Sequence, residues 1–115
     1  MVGHSKKEKR DRRALRIRAK ISGTAERPRL SVFKSNTQVT AQLIDDEARV
    51  TILAISTSQS KKKTLSERVE EVGGMLAEAA KKKGVTTVVF DRGGFLYTGN
   101  IKRFADSARA GGLVF

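Results

Sequence analysis

The 115-residue chain contains no cysteine and no tryptophan, and it has one histidine, one proline and one tyrosine. The lack of cysteine excludes disulfide bonds and thiolate metal sites, and it fits a reducing compartment such as the cytoplasm. The single histidine, His4, stands in a basic terminal segment without neighbouring metal-ligating side chains. We therefore expect no metal and no other cofactor.

Long apolar runs are also missing. No stretch approaches the roughly 20 apolar residues that a membrane-spanning helix needs. The basic N-terminus has no apolar segment behind it, so it does not have the pattern of a secretory signal. Hydrophobic residues make up 38% of the chain, which suits one domain with some of its length outside the core. We expect a cytoplasmic protein without a membrane partner.

Positive charge is abundant, and it is unevenly placed. The formal net charge is +12. Residues 1–34 contain twelve Lys/Arg and three acids, a net charge of +9, whereas residues 35–115 have a net charge of only +3. Such a distribution is typical of a basic arm attached to a nearly balanced domain, and it favours an anionic polymer as the partner.

The basic segment 5–21 is rich in helix formers, and Ser5 with Glu8 could form a capping box. It has no apolar stripe, but helical spacing predicts one basic face, formed by Lys9, Arg13, Arg16 and Lys20. A phosphate-binding arm and a solvated tail both fit this pattern. Gly23 and Pro28 predict a hinge after it. We expect residues 1–28 to form the arm and hinge and residues 29–115 to form the folded domain.

The rest of the chain alternates between strand and helix patterns. Three strands with short connections predict an antiparallel meander, at Arg29–Ser35, Gln38–Asp45 and Val50–Ser56. A helix with a Thr64/Glu67 capping box follows, and it ends at Gly84. Its Gly73-Gly74 pair predicts close packing on the sheet. A parallel strand at 86–90 and a helix from about Asn100 to Ala110 complete the pattern. The predicted fold is an α/β two-layer sandwich with a mixed four-stranded sheet and two helices.

The loop DRGGFLYTG at 91–99 leaves the carboxyl end of the fourth strand, where open α/β sheets commonly bind ligands. Arg92 and Tyr97 could contact RNA there, although an ordinary strand-to-helix turn explains the glycines equally well. The loop lacks the spacing of dinucleotide-binding and P-loop motifs. The acidic residues 45–47 are typical of a polar hairpin turn. The sequence offers no pair of side chains that could act as nucleophile and general base. An enzyme with a small-molecule substrate is therefore the weakest of the functional classes.

Two stretches carry a family resemblance: KISGTAERPRLSVFKSN at 20–36 and VVFDRGGFLYTGNIKRFADSARAGGLVF at 88–115. Both resemble bacterial large-subunit ribosomal protein eighteen, and the similarity covers nearly the whole chain from Lys20. The resemblance implies a structural protein that joins 5S rRNA to the large-subunit rRNA at the central protuberance, beside the 5S-binding ribosomal protein five. It also implies a sheet order of 3-2-1-4. We expect a monomer outside the ribosome.

The resemblance and the charge pattern together predict a set of RNA contacts. The arm contributes basic side chains, namely Lys6, Lys7, Lys9, Arg10, Arg12, Arg13, Arg16, Arg18 and Lys20. The sheet and its edge loops contribute a second group, namely Arg27, Arg29, Lys34, Ser35, Asn36, Arg92 and Tyr97. A non-specific DNA-binding protein is the alternative, because phosphate contacts alone do not distinguish the two nucleic acids.

Overall fold

The computed structural model describes residues 6–18 and 22–115, apart from the side chains of Ile17 and Arg18. Ser5 and Lys20 lie outside the described residues. Within the described residues, three helices and four strands follow one another, as α1 (Lys6–Arg18), β1 (Arg29–Lys34), β2 (Val39–Asp45), β3 (Val50–Ser56), α2 (Leu65–Lys82), β4 (Val89–Asp91) and α3 (Gly99–Ala110). A single 3-10 turn at Thr57–Gln59 leads from β3 towards α2.

The four strands form one mixed sheet in the order β3-β2-β1-β4. Strand β1 pairs with β2 in antiparallel fashion, with Leu30 opposite Leu43, and β2 pairs with β3 in the same sense. Strand β4 runs parallel to β1, with Leu30 opposite Phe90. The predicted fold class and the predicted sheet order are both confirmed.

The fourth strand lies farther along the chain than predicted. It occupies Val89–Asp91 instead of 86–90, because the residues before it pair with the end of the chain. The backbone N–H of Val88 donates to Val114 O, and the N–H of Val114 donates to Thr86 O. Alternation of side chains does not reveal which neighbour a short β-branched run will pair with.

Helices α2 and α3 cover one face of the sheet. The buried strand residues alternate along β1 and β2, and they pack with Val69, Val72 and Leu76 of α2 and Phe104 of α3. This alternation is what a sheet with one buried face requires. Thr64 caps α2 by accepting a hydrogen bond from the Glu67 backbone at 3.2 Å, which is one half of the predicted capping box.

Of the glycine pair inside α2, Gly73 packs against a helix and not against the sheet as predicted. A Cβ added at Gly73 would lie 2.7 Å from the Cβ of Ser107 in α3, whereas one added at Gly74 would meet nothing within 4 Å. Gly73 therefore lets α2 and α3 approach closely. The glycine pair predicted a close approach but did not identify the partner element.

Candidate nucleic-acid interface

Helix α1 lies against the loop that follows β4. The side chain of Ala14 is buried, and the helix backbone at Arg10 and Ala14 lies directly over Gly94. Arg13 donates from Nε to the carbonyl oxygen of Gly94 at 2.7 Å. The predicted helix is confirmed, but the structure shows it packed on the domain and does not support a separate arm.

Two aromatic rings of the domain face Arg10. Its guanidinium carbon lies 4.8 Å from the ring centroid of Phe95 and 5.9 Å from that of Phe33. The two rings meet edge to face, with centroids 5.5 Å apart. Cation–π contacts of this kind contribute about 0.5–2 kcal/mol, depending on how far they are desolvated. The side chain of Arg10 thus joins α1 to strand β1 and to the loop.

The basic face of α1 differs from the predicted one, because Arg13 turns towards Gly94. The outer surface carries the exposed cations, which are Lys6, Lys7, Lys9, Arg12 and Arg16. Of these, Lys9, Arg12 and Arg16 follow one another at spacings of three and four residues and so share a face. Lys7 is also 3.9 Å from the carboxylate of Asp11, a pair in which both side chains are well exposed. Such an exposed pair contributes little to stability.

A cleft of about 320 Å³ runs between α1 and the domain. Five of its lining side chains are cationic, namely Lys6, Lys9, Arg10, Arg13 and Lys34. The apolar side chains Phe95 and Leu96 also line it, and Leu96 is 63% exposed. The structure therefore brings Lys34, at the end of β1, next to the basic helix. Ser35 and Asn36 follow in an exposed turn, where Ser35 Oγ accepts hydrogen bonds from the backbone of Thr37 and Gln38.

Arg29 is held differently from the other predicted contacts. It donates to Asp46 through two nitrogens, each at 3.0 Å, and to Asp91 at 2.7 Å. The hydrogen bond to Asp46 raises the pKa of Arg29, burial opposes that shift, and the bond to Asp91 adds to it. The side chain of Arg29 is 13% exposed and that of Asp91 is fully buried. Two carboxylates thus already satisfy this guanidinium.

Asp46 and Asp91 are the residues that the sequence reasoning missed. Asp46 also accepts a hydrogen bond from the backbone of Gly23 at 2.7 Å, and Asp91 accepts one from the backbone of Gly93 at 2.8 Å. Arg29, Asp46 and Asp91 together form a clamp. This clamp fixes both the segment before β1 and the loop under α1. The only signal in the sequence was an acidic residue directly after each of two apolar strands.

The remaining predicted contacts lie at three other places. Arg27 is exposed in the segment before β1. Arg92 donates to the carbonyl oxygen of Phe95 at 2.8 Å, which closes the loop on itself. Tyr97 accepts a hydrogen bond from Arg109 at 2.8 Å and packs edge to face on Phe90. The structure does not bring these residues into the cleft beside α1.

Within residues 6–18 and 22–115, no three His, Cys, Asp or Glu side chains lie close enough together to hold a metal ion. Among the helices of the same part of the chain, none is both long and apolar enough to cross a membrane.

Comparison with known proteins identifies the family. The family model described as ribosomal L18 of archaea, bacteria, mitochondria and chloroplast matches residues 4–115. Proteins named "Large ribosomal subunit protein uL18" from two strains of Lactobacillus delbrueckii subsp. bulgaricus are 57% identical over 119 aligned residues, and the alignments cover 100% of both chains. The protein of that name from Limosilactobacillus reuteri is 51% identical, again over 100% of both chains. The chain belongs to the ribosomal L18 family, whose members are non-enzymatic structural components of the large ribosomal subunit.

Proposed function

We propose that this chain binds 5S rRNA and helps to attach it to the large-subunit rRNA at the central protuberance, beside ribosomal protein five. Membership of the family makes it a structural ribosomal protein that has rRNA as a partner. The identity of the RNA as 5S rRNA and the identity of the neighbouring protein are the finer parts of the proposal.

The observation that carries the proposal is the basic surface formed by α1 and the end of β1. Eight of the thirteen residues of α1 are Lys or Arg, against two acids. The exposed cations of α1 continue into Lys34 across the cleft. A surface of this kind neutralises several phosphates at once and releases their counterions, which supplies most of the affinity.

We assign the phosphate contacts to the exposed cations and treat the other predicted residues as secondary. The primary contacts are Lys6, Lys7, Lys9, Arg12, Arg16 and Lys34. Arg18 and Lys20 extend the same basic sequence and are proposed on that ground alone. Arg27, Ser35 and Asn36 are proposed as further contacts because they are exposed in segments flanking β1.

Competition with duplex DNA tests the proposal against the alternative of a non-specific DNA-binding protein. Labelled 5S rRNA is bound to the full chain at about 0.15 M salt, and excess unlabelled duplex DNA is added. We expect the 5S rRNA to remain bound, and unlabelled 5S rRNA to displace it. Displacement by an equal mass of duplex DNA would support the alternative and contradict the proposal.

A further inference from the structure

Two backbone hydrogen bonds anchor the chain to the sheet just before β1. The N–H of Gly23 donates to the carboxylate of Asp46 at 2.7 Å, and the N–H of Asp46 donates to the carbonyl oxygen of Gly23 at 3.0 Å. Gly23 is buried. A Cβ at this position would overlap the backbone nitrogen of Arg29 and the carbonyl oxygen of Ile44, which are partners in the β1–β2 ladder. A side chain at residue 23 is therefore incompatible with this anchor.

The residues that follow the anchor are also held by hydrogen bonds. The N–H of Thr24 donates to the carbonyl oxygen of Arg27, and the N–H of Arg27 donates to the Thr24 hydroxyl, each at 3.0 Å. Pro28 is buried, and its carbonyl oxygen accepts from the N–H of Val89 in β4 at 2.9 Å. If the anchor is broken, Pro28 is the next point at which the chain is bound to the sheet. The anchor therefore shortens the connection to the basic helix by five residues.

This connection matters because α1 has little buried apolar surface of its own. Of its described side chains only Ala14 is buried, and Leu15 is 67% exposed. Hydrophobic stabilisation scales with the apolar area removed from water, so one methyl group contributes little. Helix α1 ends at Arg18, five positions before Gly23. A connection of five residues spans at most about 18 Å, so the anchor limits how far the cations of α1 can lie from the sheet.

We propose that Gly23 and Asp46 are positioning residues: their anchor fixes the point at which the basic helix joins the domain, and so keeps the cations of α1 within reach of the RNA that Lys34 contacts. This inference rests on the proposed function. Two linked surfaces bind one RNA at an effective concentration that falls roughly as the −3/2 power of the length of the connection. Doubling the connection from five to ten residues thus weakens binding about threefold, and tripling it weakens binding about fivefold.

Insertions test the connection without changing the anchor or the net charge. Five or ten residues of alternating Gly and Ser are inserted between Lys20 and Ile21. The matched controls carry the same inserts between Val2 and Gly3, where they lengthen the chain but not the connection. Relative to the controls, we expect 5S rRNA affinity to fall about threefold with five residues and about fivefold with ten. Affinities equal to those of the controls would overturn the proposal.

Gly23→Ala tests the anchor itself. In the free protein we expect the amide of Asp46 to lose its hydrogen-exchange protection while the amides of the β1–β2 ladder keep theirs. RNA affinity should fall about threefold, as with the five-residue insertion. Gly73→Ala is the control for a general loss of stability, because its added Cβ would lie 2.7 Å from Ser107 of α3; it should leave RNA affinity unchanged. Full protection of the Asp46 amide in Gly23→Ala would overturn the role of Gly23.

Neutralising the basic face separates positioning from stability. The background variant is the full chain with Lys9→Ala, Arg12→Ala and Arg16→Ala, in which the anchor has fewer cations to place. We expect Gly23→Ala to weaken RNA binding by clearly less than threefold in this background. An equal loss in both backgrounds would mean that the substitution acts through the domain, and the positioning role would be wrong.

The two proposals fail in different ways. If the unmodified chain does not bind 5S rRNA, the proposed function is wrong, but hydrogen exchange at Asp46 in the free protein still tests the anchor. If the chain binds 5S rRNA and the insertions after Lys20 have no effect, the RNA-binding function stands and the positioning inference is overturned.

Discussion

Replacing Arg29 by methionine tests the clamp that fixes the segment before β1 and the loop under α1. Arg29 gives two hydrogen bonds to Asp46 and one to Asp91, and the side chain of Asp91 is fully buried. Methionine keeps most of the side-chain length and removes the charge. The variant leaves the buried carboxylate of Asp91 without its guanidinium.

Breaking a buried ion pair on one side typically costs about 3–5 kcal/mol. The Asp46 side chain is 29% exposed, so solvent screens that half of the clamp. We therefore expect Arg29→Met to lose about 3 kcal/mol of unfolding free energy, mainly through Asp91. Urea unfolding followed by circular dichroism measures the loss.

A second substitution separates the charge from the packing. Asp91→Asn removes the buried charge and keeps an oxygen that can accept from the Gly93 backbone. It should destabilise the unmodified chain but restore about 1–2 kcal/mol to the Arg29→Met variant. The reasoning is refuted if Arg29→Met loses less than about 1 kcal/mol, or if Asp91→Asn lowers the stability of both backgrounds equally.

The same variant decides whether Arg29 touches RNA. If Arg29 serves only the clamp, the log–log dependence of 5S rRNA affinity on salt keeps its slope in Arg29→Met. If Arg29 contacts a phosphate, the slope falls by about 0.7–0.9.

Three further substitutions address helix packing and capping. Gly73→Ala should lower the free energy of unfolding by about 1–3 kcal/mol, because the added Cβ would lie 2.7 Å from Ser107. Gly74→Ala should instead raise it by about 0.5–1 kcal/mol, since that helical position is open. Thermal unfolding of the two variants compares them directly. A shift of both melting temperatures in the same direction would contradict this packing. Thr64→Ala should cost about 1 kcal/mol through the lost cap of α2, and an unchanged urea midpoint would show that the hydrogen bond to the Glu67 backbone contributes nothing.

Local patterns in the sequence predicted most of the fold. The alternation in Val39, Ala41 and Leu43 marks one buried face of a strand, and all three are buried. The bounds of β3 agree with the prediction, and α3 begins one residue earlier than expected. The bounds of β4 were predicted wrongly because Thr87, just before the strand, pairs with Val114, which is distant along the chain and carries no local signal.

The candidate site was predictable in composition but not in arrangement. Charge density identified α1 as the basic element, since eight cations in thirteen residues need no structure to be seen. Its docking was not predictable, because the helix has no apolar stripe and is held by contacts of its own Arg10 and Arg13 with Phe33 of β1 and with Gly94 and Phe95 of the loop after β4. The pairing of Arg29 with Asp91 joins residues 62 positions apart, and no spacing rule connects them.

The salt dependence of 5S rRNA binding in two charge-matched variants tests the central claim most directly. In the first, the exposed face of α1 is neutralised by Lys9→Ala, Arg12→Ala and Arg16→Ala; in the second, three exposed lysines at the end of α2 are neutralised, namely Lys81, Lys82 and Lys83. Both variants carry the same net charge, so non-specific attraction to RNA falls equally. We predict that the log–log salt slope falls by about two to three in the α1 variant, from three lost phosphate contacts, and stays near the unmodified value in the α2 variant. Equal slopes in the two variants would contradict the assignment of the RNA-binding surface to α1.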